Sequence, residues 1–232
     1  MHSNNETGVL QPVAEIASLA RAHGAHIHCD AAQSIGKVPI DVSDLGVDLL
    51  SIAGHKLYAP KGVGALYVKR GVSLAPLVVG AGHERGLRPG TENVASIVAL
   101  GVACEVLGRD LATSPKRIAA LRDELWQLLA ARVPGLMLNG HPTLRLPNTL
   151  NVRFPQVSGE RLLSLAPEIA ASTGSACHEG HEQASAVITA MGVPADQALG
   201  SVRLTLGRGT TKTDVSRASD ALVAAHRLAL GS

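Results

Sequence analysis

Asp30 and Lys56 each stand at the end of a short apolar run, 26 residues apart (56 − 30 = 26). The runs, His26 to Asp30 and Val47 to Ala53, have the length and composition of strands. Ligands of open α/β sheets gather at the carboxyl ends of strands, so an acid and an amine there describe a site. Lys56 lies in the loop GHKLYAPKG, before a second apolar run from Val63 to Val68. With apolar sequence on both sides, its amine is expected to be partly desolvated and available as a nucleophile or base. A lone loop lysine is ordinarily solvated; the acid upstream gives this one its weight. Pyridoxal phosphate chemistry asks for this pair. The lysine links to the cofactor aldehyde, and the acid keeps the pyridine nitrogen protonated so that the ring draws electrons.

Cys177 is the third reactive group. It follows the small polar run Ser172 to Ala176, and SACHEGHEQAS shows no hydrophobic periodicity before Ala186. That places the thiol on an exposed loop, where cysteines react, although an incidental loop cysteine would read the same way. Cys29, within a strand run, and Cys104, on a helical stretch, read as core residues.

Three widely spaced cysteines do not make a disulfide framework, which favours a reducing, cytoplasmic setting. A formal net charge of +2 with no basic run argues against nucleic acid or a membrane surface as partner. No apolar run has membrane-spanning length. With one Trp, two Tyr and one Phe, base-stacking platforms cannot be built and the core must be aliphatic.

The elements that must position these groups follow in order. Pro12 opens a helix with Val13, Ile16, Leu19 and Ala20 on one face and Gly24 as its stop. The strand ending at Asp30 returns to a sheet, Asp41 to Leu45 forms a turn or short helix, and Lys61 to Val68 folds back as a hairpin arm. Thr91 is expected to cap a helix from Glu92 to about Leu107, whose start, near Arg85 and Arg88, suits an anion. The boundary between a first domain (1–112) and a second (113–232) falls at Asp110 to Ser114. Beyond it, Ser114-Pro115 starts a helix with Ile118, Leu121, Leu125, Leu128 and Leu129 on one stripe. Strands are expected near Leu136 to Asn139, Thr149 to Phe154, Glu168 to Ser172 and Ser201 to Leu206. Helices alternate with them near Gly159 to Leu165, Ser185 to Met191 and Asp214 to Leu230, the last capped by Thr211 with Asp214.

The segments SNNETGVLQP, HCDAAQSIGK, SIAGHKLYAPKGVGALYV, HERGLRPGTEN, RLPNTLNV, STGSAC and SVRLTLGRGTT, in this order, resemble the cysteine desulfurases of the class V aminotransferase family. Selenocysteine lyases share most of them. The resemblance implies an α/β fold: part of a fold-type I large domain with a mostly parallel sheet, then a small α/β domain carrying the cysteine loop. It implies pyridoxal phosphate as cofactor, with Asn5, Asp30, Gln33, His55, Lys56 and Thr91 around it. Thr91 would reach the phosphate of the neighbouring subunit of a homodimer. Lys56 and Cys177 would be catalytic, Cys177 taking sulfur from L-cysteine as a persulfide and alanine leaving. Asn5 and Arg203 would bind substrate, a guanidinium being suited to pair a carboxylate bidentately. Sulfur would pass to an acceptor or iron-sulfur scaffold protein. The resemblance also implies that a preceding portion of a longer enzyme supplies a glycine-rich phosphate loop and a histidine that stacks on the cofactor.

The chain departs from the family pattern in two places. Ala53 stands where many members carry a phosphate-binding serine, which shifts anchoring to Ser51 or His55. His178, Glu179 and His181 replace commoner small and hydroxyl residues after Cys177, which leaves L-selenocysteine open as the substrate. Readings from other classes are a metal site on His26, His28 and Asp30, at i, i+2 and i+4 of one strand, with Cys177, His178 and His181 as further soft ligands, and a catalytically inactive module. Neither CxxC nor HExxH is present to support a metal, and Gly62-Val63-Gly64 lacks the third glycine of a nicotinamide site.

Overall fold

The computed structural model describes residues 1–174 and 183–231. The chain divides into two compact units: Met1–His2 with Gln11–Leu111, and Ser3–Leu10 with Ala112–Ser232. The segment Ser3–Leu10 thus packs with the second unit, where a simple division near residue 112 had placed it in the first.

In the first unit, helix α1 (Val13–Ala22) follows Pro12 and stops where Gly24 takes φ +65°. It buries Val13 and Ala17, while Ile16 and Leu19 are exposed, so its core face is narrower than the apolar spacing suggested. Strand β1 (His28–Asp30) lies parallel to β2 (Leu49–Ala53), and β2 pairs antiparallel with β3 (Gly64–Val68), giving the order β1-β2-β3. Between β1 and β2, α2 (Val42–Leu45) is capped by Asp41, which accepts from the Ser43 amide, and ends on the left-handed Gly46.

Alternation sorts the two faces of this sheet. Cys29, Leu50 and Tyr67 form one cross-strand row, packed with Val13, Ala31 and Val47 in the core. The next row, Asp30, Ser51 and Leu66, faces the other way. Asp48 ties together the edge where β1 and β2 start and β3 ends. Its carboxylate accepts from the Ile27 amide at 3.0 Å and faces His26 and Lys69, and the amide contact first, then these side chains, holds its pKa below the usual carboxylate value.

Helix α3 (Val94–Asp110) is capped by Asn93, whose side chain accepts from the Ser96 amide. Thr91, expected in that role, lies exposed two residues earlier. Among its residues α3 buries Leu100, and Cys104, expected in the core, is exposed.

The second unit carries an antiparallel sheet, order β4-β5-β6: β4 (Met137–Leu138), β5 (Thr149–Arg153) and β6 (Ser201–Thr205). The strand expected at Glu168 to Ser172 is reduced to a single bridge, Ser172 with Arg203. Helices α4 (Ser114–Ala130), with Pro near its start, and α8 (Lys212–Leu230) cover the sheet. Thr211 and Asp214 form the reciprocal capping box of α8. Leu121, Leu125 and Leu129 of α4 meet Leu150, Val152, Val202 and Leu222 in an aliphatic core. Leu129 is fully buried, and its truncation to alanine would cost about 2–5 kcal/mol. The short helices α5 (Gly159–Ser164), α6 (Ala186–Ala190) and α7 (Ala195–Ala198) complete the unit, with Ser158 and Ser185 capping the first two.

Candidate active site

Asp30 ends β1 in register with Ser51 of β2, and Lys56 follows Ser51 by five residues (56 − 51 = 5), so acid and amine leave the same end of two neighbouring parallel strands. Three hydrogen bonds fix Asp30 and the residue after it. Its carbonyl accepts from the His2 amide at 2.7 Å, its Oδ1 accepts from the Ala32 amide at 2.8 Å, and the Ala31 amide donates to the Ser51 carbonyl at 3.0 Å. The side chain remains exposed on the unburied row of the sheet. His2 itself is buried, with no partner for Nδ1 among the described residues, and burial lowers its pKa.

Lys56 and His55 occupy a single 3-10 turn, Gly54–Lys56. Buried Gly54 and Leu57 bracket it. The Gly54 amide donates to the Val63 carbonyl at 2.9 Å, and the Leu57 amide returns to the Gly54 carbonyl at 2.8 Å. A Cβ on Gly54 would come 2.6 Å from the Val63 oxygen, closer than real contacts allow, so the turn requires glycine there. Tyr58 next in line holds φ +66°, a costly conformation for an aromatic residue and one common near functional groups. Lys56 and His55 are exposed, so the expected desolvation of Lys56 is not provided by this unit.

Lys37, by contrast, is half-buried. Its Nζ donates to the Gln33 carbonyl at 2.7 Å, and burial, then the charge of Lys56, pushes its pKa down to about 8. Gln33, half-buried, therefore sits in a turn bolted at its far end by Lys37. Ser51, considered for phosphate anchoring, has its hydroxyl taken by His28 Nε2 at 2.7 Å, which leaves His55 as the neighbouring candidate. The same bond, with His26 facing Asp48, engages both histidines of the supposed metal strand, and no group of three metal-ligating side chains occurs among the described residues. Ahead of α3, Arg88 donates to the Gly90 and Thr91 carbonyls at 3.2 and 3.4 Å, which shapes the loop that presents Thr91.

Two of the expected residues belong to the second unit. Asn4 Oδ1 accepts from the Glu6 and Thr7 amides, both at 2.9 Å, and so builds the turn that carries Asn5. Arg203, on β6 opposite Asn151, donates through Nη1 to the Asn5 carbonyl at 2.8 Å. Cys177, with His178, Glu179 and His181, lies outside the described residues. Lys37 and Glu6 were not foreseen; the repeated polar types of SNNETG were the available signal for the second.

Residues 1–218 match the aminotransferase class-V family, and the chain belongs to it. The family is pyridoxal-phosphate-dependent. Cysteine desulfurase 2 of Trichormus variabilis is 48% identical over 219 residues, covering 94% of this chain and 55% of that protein. Among solved structures, a NifS-like protein from Rickettsia africae superposes with a TM-score of 0.87 at 30% identity, over 100% of this chain and 61% of that one. SspA in complex with cysteine superposes with a TM-score of 0.72 at 35% identity, over 90% and 58%. The chain spans about half the length of the curated relatives it matches. The donor set fits the cofactor: a carboxylate fixed at one strand end and an exposed amine on a rigid turn at the next.

Proposed function

We propose that this chain carries the lysine, acid, arginine and thiol of a cysteine desulfurase, which removes sulfur from L-cysteine and releases L-alanine. The observation that carries the reading is the register of β1 and β2, which sends Asp30 and Lys56 out of one sheet edge. Relatives named cysteine desulfurases and a structural neighbour solved with cysteine support the choice of substrate.

Pyridoxal phosphate, when bound, supplies an electrophilic aldehyde and an electron sink for the bonds at the substrate α-carbon. Lys56 would hold it, with Asp30 facing the ring nitrogen and Gln33, His55, Asn5 and Thr91 around it. Arg203 receives the substrate carboxylate through the N–H groups that Asn5 does not occupy. The Lys56 amine takes the proton from the substrate α-carbon and returns a proton to the product. The Cys177 thiolate attacks the substrate sulfur; the S–S bond forms as the Cβ–S bond breaks, leaving a persulfide on Cys177 and, after protonation at Cβ, alanine.

We place the enzyme in the cytoplasm as a homodimer that hands sulfur to an acceptor or iron-sulfur scaffold protein. No described helix is long and apolar enough to cross a membrane. Borohydride reduction of the cofactor-loaded complete gene product, followed by peptide mapping, tests the assignment. The label is expected on Lys56; a label on Lys37 or Lys61 overturns it.

A further inference from the structure

Glu6 is buried, 8% exposed, in the turn that begins at Asn4. Its Oε2 accepts from the Ser185 hydroxyl at 2.5 Å, and Ser185 is itself 4% exposed and caps α6 by accepting from the Ile188 amide. On the other side the Glu6 carboxylate rests against Gly174, where an added Cβ would stand 2.7 Å from Oε2 and φ is +86°. The Gly174 amide donates to Ser172 Oγ at 3.1 Å, and Ser172 exchanges both main-chain hydrogen bonds with Arg203, at 2.7 and 3.3 Å. Arg203 in turn holds the Asn5 carbonyl, and Asn151 Nδ2 donates to the Glu6 carbonyl at 3.0 Å. One buried carboxylate therefore touches the last described residue before 175–182 and the third one after it, and shares its turn with the partner of Arg203.

Chain length makes this consequential. Cys177 stands three residues beyond Gly174 in the sequence, and three residues of fully extended chain reach about 10 Å at most, so holding Gly174 limits the distance between the thiol and that anchor. Sulfur transfer requires that thiol to meet a substrate gripped by Arg203, and misplacement by about 1 Å can cost about a hundredfold in rate.

We propose that Glu6 is a positioning residue for sulfur transfer: it ties both flanks of the cysteine-bearing segment to the turn that orients Arg203, so that thiol and substrate clamp share one anchor. This rests on the reading of Cys177 as the nucleophile. A neutral amide of the same shape keeps an acceptor for Ser185, whereas a methyl group removes it.

The test compares Glu6→Ala, Glu6→Gln and Ser185→Ala in the complete gene product by amide hydrogen exchange and by steady-state kinetics. In Glu6→Ala, exchange at residues 172–174 and 185–189 is expected to rise at least about tenfold while β5 and β6 stay protected. Alanine release is expected to lose about ten- to a hundredfold in kcat with KM for cysteine within about threefold, cofactor absorbance is expected to be unchanged, and Glu6→Gln is expected to recover most of the loss. Ser185→Ala is expected to reproduce the exchange change at 185–189, which keeps the test decisive should Glu6→Ala fold poorly. Unchanged exchange at both flanks, or loosened flanks with undiminished kcat, overturns the proposal. Full turnover by Cys177→Ala would instead overturn the nucleophile reading, and the exchange data decide the anchor independently of it.

Discussion

Arg203 donates to the Asn5 carbonyl at 2.8 Å, a side chain of β6 reaching a backbone 198 positions earlier in the sequence. This contact uses one terminal nitrogen and orients the planar guanidinium, which leaves its other N–H groups for a carboxylate. Lysine has no such fork and cannot serve the carbonyl and a substrate in fixed geometry at once. Arg203→Lys is therefore expected to lose about 1.5–3 kcal/mol of substrate binding, or about 10- to 150-fold in kcat/KM for cysteine. Steady-state kinetics check this, and a variant within threefold of the parent would remove Arg203 from the substrate site.

Cys177→Ala is expected to bind cofactor with unchanged absorbance and affinity while losing alanine release from cysteine. Turnover at the unmutated rate would refute its role as nucleophile. Loss of activity toward cysteine with survival toward selenocysteine would move the assignment to a selenocysteine lyase, because C–Se cleavage would then proceed without the thiol.

Lys37 gives a pH signature. Its pKa falls from the ordinary lysine value to about 8, chiefly by burial, with Lys56 adding repulsion. Below pH 8 the ammonium is charged in folded and unfolded chains alike, and the folded state carries its full burial cost. As pH rises from about 8 towards the unfolded value, the folded state releases its proton first, so stability contributed at this position rises with pH. Denaturant midpoints of the parent and Lys37→Met, measured from pH 7.5 to 10.5, should converge or cross in the parent's favour as pH increases. Parallel curves would show that Lys37 is solvated.

The features legible in the sequence are those written in neighbouring residues. The apolar runs around Lys56, the acid closing β1 and the box of Thr211 with Asp214 are local patterns, and all three recur in the structure. The illegible ones depend on distant partners. Ser3–Leu10 lies within the first 112 residues of the sequence, yet Gly8 lies so close to Thr149, and Thr7 to Arg145, that the segment packs with the second unit. Asn93 caps α3 instead of Thr91, and the Arg88 side chain, which donates to the Gly90 and Thr91 carbonyls, holds the loop before it, a contact that cap preference does not announce. Glu168 to Ser172 has apolar character but contributes only the Ser172 bridge, since β6 meets it at Arg203 alone. Lys37 is half-buried in a turn that no helical or strand period announces.

Helix α3 supplies the last prediction. Val94, Val98 and Val102, spaced by four, form one continuous apolar stripe with Ile97 beside it, and all four are exposed. Leu77 and Val79 in the segment before it are 97% and 89% exposed. An exposed apolar stripe of this kind on a protein of aliphatic composition calls for a covering surface. A second copy is the economical occupant, because a two-fold axis lets one stripe cover its own equivalent. Thr91, three residues before the helix starts, is also the residue that the family resemblance assigns to the neighbouring subunit's phosphate. The complete gene product is therefore expected to sediment as a dimer, and Val98→Glu with Val102→Glu to sediment as a monomer with unchanged far-UV circular dichroism and weakened cofactor absorbance. A parent that sediments as a monomer, or a double variant that remains dimeric with full cofactor absorbance, would show that another surface covers α3 and that Thr91 serves its own subunit or none.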